Sequence, residues 1–294
     1  VRIGLLGLGR MGAPVCANLV RAGHRVSAFD VRPELSRVAL DAGASPEVSA
    51  TSAAAGAEAL VTVLPGPAEV AAALDDAVFE ALAPDAVWID MTSNTAVAAG
   101  PIRDRARAHG VEVLEAPLGG GPDDAREARL RLFVGGDPEV VARCRPLLEA
   151  LAPADRIAHV GGHDAGYTTK LLVNALWFGQ AAATAEALLL GRRVGIDPAV
   201  LRDALAGSAA ASDFIRHDLE ALFEGDYLRS YPLHRIHDQL AAVADAASLL
   251  GTPHEITDAV LRLHRRALER YGPVDGELLP VALLEEESGI TLRW

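Results

Sequence analysis

Among the side chains of this sequence that could carry a proton, one has no duplicate. Lys170 is the sole lysine among 27 basic residues, the other 26 being arginine. A guanidinium stays charged throughout the physiological range, whereas an amine can be tuned to give or take a proton. Compositional drift toward arginine explains the 26 but not the survivor, so its neighbours decide what it does. If Tyr167–Val194 forms one helix, Lys170, Asn174, Trp177 and Ala181 fall along one face. Leu171, Leu172, Val173 and Leu176 surround the polar pair and leave little room for an exposed side, so the expectation is a cleft-lining lysine and amide. Partial desolvation there lowers an amine's pKa, and a bound carboxylate raises it. Either way such a lysine can donate to a carbonyl oxygen or accept the proton of an alcohol. Asn174, one turn on, would hold the substrate oxygen in line.

A second constellation begins at the N-terminal end. Gly7-Leu8-Gly9-Arg10-Met11-Gly12 fits G-x-G-x-x-G, with an apolar strand leading in and an amphipathic helix leading out. Gly7 permits the tight turn, Gly9 lets the backbone approach a pyrophosphate, and Gly12 lets helix and strand pack closely. The helix N-terminus then offers N–H groups and a positive dipole end to phosphates. A second strand ends at Asp30, 18 residues after Gly12, in Asp30-Val31-Arg32. A carboxylate there accepts hydrogen bonds from ribose hydroxyls and repels a 2′-phosphate, which favours NAD over NADP, although Arg32 could pair with a phosphate by swinging in. An empty glycine loop in an ordinary doubly wound domain is the bland alternative.

The elements that must position these residues change character near residue 160. Before it, apolar runs at Arg2–Leu6, Arg25–Phe29, Ala59–Leu64, Val87–Asp90, Val111–Glu115 and Leu130–Val134 alternate with helical patterns such as Met11–Ala22 and Pro101–His109. That alternation predicts an α/β Rossmann domain with a doubly wound, mostly parallel sheet. Beyond residue 165 the strand signal vanishes, and the long helix, closed by Gly195, leads into an all-α domain. Asp197-Pro198 supplies an N-cap and N1 proline for the next helix, and Thr252-Pro253-His254-Glu255 repeats that logic as a capping box. The expected domains are 1–162, built for the dinucleotide, and 163–294, all-helical.

Composition removes several function classes. Of 294 residues half are hydrophobic and the net charge is −13, which excludes a disordered chain and argues against nucleic-acid or anionic-membrane binding. Two cysteines, Cys16 and Cys144, give no disulfide framework and read as small core residues in a reducing compartment. The N-terminal residues carry no cleavage pattern and no stretch has the uncharged length of a membrane span, so the expectation is a cytoplasmic protein. His234 and His237 lie three apart beside Asp238, but nothing completes a zinc ligand set, so no metal is expected. The basic run Arg262, His264, Arg265, Arg266 and Arg270 reads as a solvated or subunit-facing helix, and Glu285-Glu286-Glu287 as a solvated helix end.

Taken in order and spacing, these segments resemble the β-hydroxyacid dehydrogenase family, of the 3-hydroxyisobutyrate dehydrogenase type, over nearly the whole chain. The resemblance rests on Gly7–Gly12 with Ala13-Pro14, Leu64-Pro65, Asp90-Met91-Thr92-Ser93, Glu115-Ala116-Pro117-Leu118-Gly119-Gly120-Gly121, and Ala165-Gly166 with Lys170 and Asn174. It implies an NAD(P) domain of the 6-phosphogluconate dehydrogenase type, a helical C-terminal domain and catalysis between them. It further implies Lys170 as acid/base, Asn174 as a substrate contact, and Leu64, Pro65 and Ser93 lining the cofactor. The implied substrate is a small hydroxy acid or its semialdehyde, and the implied assembly a homodimer or homotetramer.

Departures from the family pattern bear on the substrate. The serine of the family's substrate loop is Gly119 here, which removes a hydroxyl and leaves the N–H groups of Gly119, Gly120 and Gly121 as an anion nest. A family glycine is Ala128 and another is Asp164. Where the family carries a Lys-Asp pair, one register after Tyr231 places Asp238-Gln239 and the other His237-Asp238, so His237 and Asp238 are candidate substrate contacts. An NAD-dependent dehydrogenase, an imine reductase or other divergent reductase on the same fold, and a non-catalytic NAD-binding protein all remain open. Lys170 speaks against the imine reductase, Gly119 keeps it open, and the Lys170–Asn174 pair is more than a mere binder needs.

Overall fold

A computed structural model describes residues 1–294, and the chain divides into two compact units, Val1–Lys170 and Leu171–Trp294. The first contains nine strands: β1 (Arg2–Leu6), β2 (Arg25–Phe29), β3 (Ser45–Pro46), β4 (Ala59–Thr62), β5 (Val87–Asp90), β6 (Glu112–Glu115), β7 (Leu118–Gly119), β8 (Arg131–Gly135) and β9 (Ile157–Gly161). They form one sheet ordered β3-β2-β1-β4-β5-β6-β8-β7, with β9 paired to β8. From β3 through β6 every pairing is parallel, the strand order of a dinucleotide-binding domain; β8 runs antiparallel to β6 and β7.

Eight helices belong wholly to this unit: α1 (Gly12–Arg21), α2 (Ser36–Asp41), α3 (Ala50–Ala54), α4 (Pro67–Ala73), α5 (Asp76–Glu80), α6 (Ala96–Ala108), α7 (Pro122–Arg126) and α8 (Pro138–Glu149). Central strands are buried on both faces. Ala59, Val61, Val87 and Ile89 pack into one core, while Leu60 and Trp88, pointing the other way, join a second. That double burial is why these strands read as unbroken apolar runs in the sequence.

Three strands have no such signature. β3 and β7 are two residues long, and most of β9 is exposed, so none shows an apolar run. Helix α6 starts at Ala96, five residues before the expected Pro101, because the Thr95 hydroxyl accepts from the Ala98 N–H and caps it. Pro101 therefore sits in the helix interior.

Helix α9 (Ala165–Arg193) starts in the first unit and runs into the second, which continues with α10 (Pro198–Ala206), α11 (Leu219–Glu224), α12 (Leu233–Leu249), α13 (Glu255–Tyr271) and α14 (Leu279–Ser288). Asp197 caps α10 as expected, accepting from the N–H groups of Ala199 and Val200. The capping box expected at Thr252 does not form. His254 is the N-cap of α13, and its ring bonds back to the Thr252 carbonyl instead. Glu285 is also not solvated: it is buried and accepts from the Leu292 N–H, the Tyr227 hydroxyl and Arg293, pinning the last residues to α14. Within the second unit, Ala181, Ala185, Leu188 and Leu189 of α9 pack against Phe214, Leu222 and Val281. Leu172, Val173 and Leu176 are exposed, so α9 is not apolar-packed all round as expected.

His264 departs from the solvated basic run in which the sequence places it. Its ring is buried edge-on to Phe178, Nδ1 meets the Val260 carbonyl at 3.0 Å, and burial pushes its pKa down to about 4. The unfolded chain then gains a proton near pH 6.5 that the folded chain refuses, so stability falls as pH drops from about 6.5 to 4. Chemical denaturation across that window should show a loss of up to roughly 3 kcal/mol in the wild type and a flatter profile in His264→Gln.

Candidate functional site

The glycine loop is built as a cradle. Gly7 has φ +100°, and a Cβ there would lie 2.3 Å from the Val63 carbonyl oxygen; one on Gly12 would lie 2.1 Å from the Gly7 oxygen. Neither position tolerates a side chain. A Cβ on Gly9 would meet only the Arg32 guanidinium at 3.4 Å, so this edge of the loop is open. No side chain caps α1, whose first turn begins at Met11-Gly12. Buried Leu8 and exposed Arg10 complete the loop. These features fit a dinucleotide pyrophosphate.

Asp30 lies at the end of β2, beside that loop. Its carboxylate accepts from the Leu8 N–H at 2.8 Å, the Arg32 N–H at 3.0 Å, and Arg32 Nε and Nη2 at 3.0 and 3.2 Å. Burial alone would raise its pKa, but the Arg32 side chain and the two N–H groups outweigh it and hold the carboxyl below its ordinary value. With four donors the carboxylate is close to saturated. A ribose hydroxyl reaching Asp30 must displace the Arg32 fork, which is half exposed and free to leave. Val31 projects into solvent between them.

The other expected cofactor-lining residues hang on one buried carboxylate. Asp90, at the end of β5, accepts from the Thr62 hydroxyl at 2.8 Å, the Thr92 N–H and Asn94 Nδ2 at 3.0 Å, and the Tyr167 hydroxyl at 2.9 Å. Burial pushes this carboxyl above its usual range against those donors. Thr92 Oγ1 in turn accepts from the Leu64 N–H at 3.1 Å. Leu64-Pro65 and Ser93 are thus carried on loops that share Asp90. The sequence reading singles out Ser93 here but not Thr92, Asn94 or Tyr167. The available signal was Asp-x-Thr-x-Asn directly after a buried strand.

Glu115 does the same at the end of β6. Fully buried, it accepts from the Asp164 N–H at 2.5 Å, the Gly166 N–H at 3.1 Å and the Tyr167 N–H at 3.3 Å. It therefore holds the first turn of α9, the helix that carries Lys170. A Cβ on Gly166 would lie 2.8 Å from the Phe133 oxygen and 3.0 Å from Glu115 Cβ, so only glycine lets the helix sit this close to the sheet. Arg103 bridges Asp164 Oδ1 at 2.6 Å, and Asp164 takes φ +74°, the conformation that glycine would supply more cheaply.

The loop after β6 is less open to an anion than expected. Gly119 lies in β7, paired with Arg131, and a Cβ there would press on Phe133 and Arg131 at 3.2 and 3.3 Å. Gly120 has φ +99°. The Gly121 N–H already donates to Asp124 Oδ2 at 3.2 Å, closing the first turn of α7. One of the three N–H groups read as an anion nest is therefore answered by the chain's own carboxylate.

In the second unit Asn174 donates to Gln239 Oε1 at 2.7 Å, and Gln239 Nε2 bonds the Tyr231 hydroxyl at 2.7 Å. Burial pushes Tyr231 up to about 12, so it stays a neutral phenol. Of the two registers, the residue that meets Asn174 is Gln239. Asp238 faces solvent, with His237 at 3.6 Å from it. Trp177, on the Lys170–Asn174 face of the helix, donates to Asp218 at 3.1 Å.

Comparison with known proteins gives two family matches. Residues 2–161 match the NAD binding domain of 6-phosphogluconate dehydrogenase, and residues 164–282 match the domain described as NAD-binding of NADP-dependent 3-hydroxyisobutyrate dehydrogenase. A 3-hydroxyisobutyrate dehydrogenase of Pseudomonas aeruginosa is 38% identical over 212 residues, 71% of this chain and 70% of that protein. The NAD-dependent L-serine dehydrogenase of the same organism is 33% identical over 213 residues, 72% and 71% of the two chains. Among solved structures, the 3-hydroxyisobutyrate dehydrogenase of Mycobacterium tuberculosis with L-serine has a TM-score of 0.86 at 29% identity, over 96% of this chain and 98% of that one.

The Asp30–Arg32 geometry makes a prediction for cofactor choice. By calorimetry, Asp30→Ala should weaken NADH binding by about tenfold or more, the scale of charge-assisted bonds, while Arg32→Ala leaves it within about threefold. Tighter binding of NADPH than NADH by the wild type would contradict this role for Asp30.

Proposed function

The chain belongs to the β-hydroxyacid dehydrogenase family of NAD(P)-dependent oxidoreductases, and from that premise we propose that it oxidises a small β-hydroxy acid, or reduces the corresponding semialdehyde, with Lys170 carrying the proton. When bound, the nicotinamide gives or takes the hydride at its C4. Gly7, Leu8, Gly9, Arg10, Met11 and Gly12 would hold the pyrophosphate, Asp30, Val31 and Arg32 the ribose end, and Leu64, Pro65 and Ser93 the remaining length. Residues 1–162 serve the dinucleotide in this reading, and residues 163–294 serve substrate and subunit contacts. The exposed Leu172, Leu176 and Leu190 along α9 support a homo-oligomer.

One observation carries the reading. The chain's single lysine sits one turn past the part of α9 that Glu115 fixes, and Asn174 lies one further turn along. In oxidation the neutral amine of Lys170 takes the hydroxyl proton; in reduction its ammonium returns a proton to the carbonyl oxygen. Asn174, its amide oriented by Gln239 and Tyr231, would align the substrate oxygen. Gly119, Gly120 and Gly121 would face the substrate's acid end, and His237 and Asp238 are further candidate substrate contacts.

A second reading of the substrate is favoured by Asp124. Its carboxylate at the Gly121 N–H puts negative charge where an acid group would otherwise bind. That suits a β-hydroxy acid bearing an ammonium group beside its carboxylate, as L-serine does, over a simple hydroxy acid. Rates with L-serine, 3-hydroxyisobutyrate, glycerate and a cyclic imine, followed by NADH absorbance, separate these readings.

Lys170→Arg should keep NADH binding within about twofold yet lose at least ~10²-fold in turnover, the usual scale for an acid–base group. Near-normal turnover in that variant would remove Lys170 from the chemistry.

A further inference from the structure

Two buried carboxylates sit side by side, Asp90 and Glu115 being register partners at the ends of β5 and β6. Tyr167 touches both. Its N–H donates to Glu115 Oε2 at 3.3 Å and its hydroxyl to Asp90 Oδ2 at 2.9 Å. Its ring is buried, and burial together with the nearby carboxylates pushes its pKa far above the ordinary value, so the hydroxyl stays a donor. Asp90 is also the anchor of Thr92 and Asn94, and through Thr92 of Leu64.

We infer that Tyr167 is a positioning residue that fixes Lys170 relative to the loops at Leu64-Pro65 and Thr92-Ser93-Asn94, by joining the first turn of α9 to Asp90. This deepens the proposed function and rests on its reading of Lys170 as the proton carrier. A helix start is ordinarily satisfied by its own N-cap side chain. Here three N–H groups, of Asp164, Gly166 and Tyr167, go instead to a carboxylate about fifty residues earlier in the chain. Gly135 as well as Gly166 has no room for a Cβ, so the helix start is pressed against the sheet.

Glu115 sets how close the helix lies: it accepts from three backbone N–H groups of this turn, and Arg103 and His163 flank its Oε1 at 3.6 and 3.7 Å. The Tyr167 hydroxyl supplies the second fixed point, and two points on adjacent strands define the helix azimuth. Lys170 is three residues on, a rise of about 4.5 Å and slightly less than one turn, so its direction follows that of Tyr167. A small rotation at the first turn is carried directly to the amine, and misplacement by about 1 Å can cost on the order of 10²-fold in rate.

The test uses the single lysine. Full-length protein labelled with 13Cε-lysine has one lysine Cε resonance, that of Lys170. Tyr167→Phe removes only the hydroxyl, and Glu115→Asp, a second variant should the first not fold, withdraws the carboxylate from the same turn. Either should shift and broaden the Lys170 resonance while NADH affinity stays within about twofold. In the same variants kcat for 3-hydroxyisobutyrate or L-serine should fall about 10- to 10²-fold with KM little changed. An unmoved resonance in the folded variants would overturn the positioning role, whatever the turnover. If Lys170→Arg keeps normal turnover, the proton-carrier reading fails separately, because the resonance reports where the lysine is held without reference to activity.

Discussion

The structure of the first unit depends on carboxylates buried at the carboxyl ends of β5 and β6. Taking such a group out of water is expensive unless each oxygen finds donors, and Asp90 and Glu115 find theirs in backbone N–H groups, hydroxyls and an amide from three separate segments. The cost of burial is what makes the arrangement specific. A displaced loop would leave a carboxylate oxygen without its donor, so each segment has one low-energy position. The loops after β4 and β5 and the start of α9 are thereby fixed at the edge of the sheet where parallel α/β folds present their ligands.

Glycines supply the second constraint. Gly7, Gly12, Gly135 and Gly166 each lie where a Cβ would come within 3 Å of other atoms of the chain, so the helices approach strands and loops more closely than side chains allow. This closeness is what lets the Glu115 carboxylate reach the N–H groups of α9 directly. Asp164 shows the strain such packing tolerates: it holds a glycine-like φ, stabilised by its bond to Arg103.

Much of this was legible in the sequence, for physical reasons that differ by element. β1 and β5 appear at their observed residues because central parallel strands are buried on both faces and leave apolar runs, and β2 because its buried Val26 and Ala28 alternate with less buried neighbours. Lys170 stood out because arginine had replaced every other lysine, and the glycine loop because a turn of that shape admits few residues. What the sequence could not display is pairing across distance. The bond from Asn174 to Gln239 joins residues 65 apart, because α12 turns Gln239 inward and Asp238 to solvent. Asp124 is unremarked in the sequence because its effect comes from folding back onto Gly121. Glu285 looked like one of three solvated acids until Tyr227, Leu292 and Arg293 converged on it.

A substrate-independent proton carrier is the centre of the account, and amine rescue tests it most directly. In Lys170→Ala, turnover should collapse and then recover in a saturable way with added methylamine, which can enter the space left by the side chain and exchange the same proton. Full turnover without any amine, or a collapsed rate that methylamine leaves unchanged while NADH still binds, would contradict the assignment of that proton to Lys170.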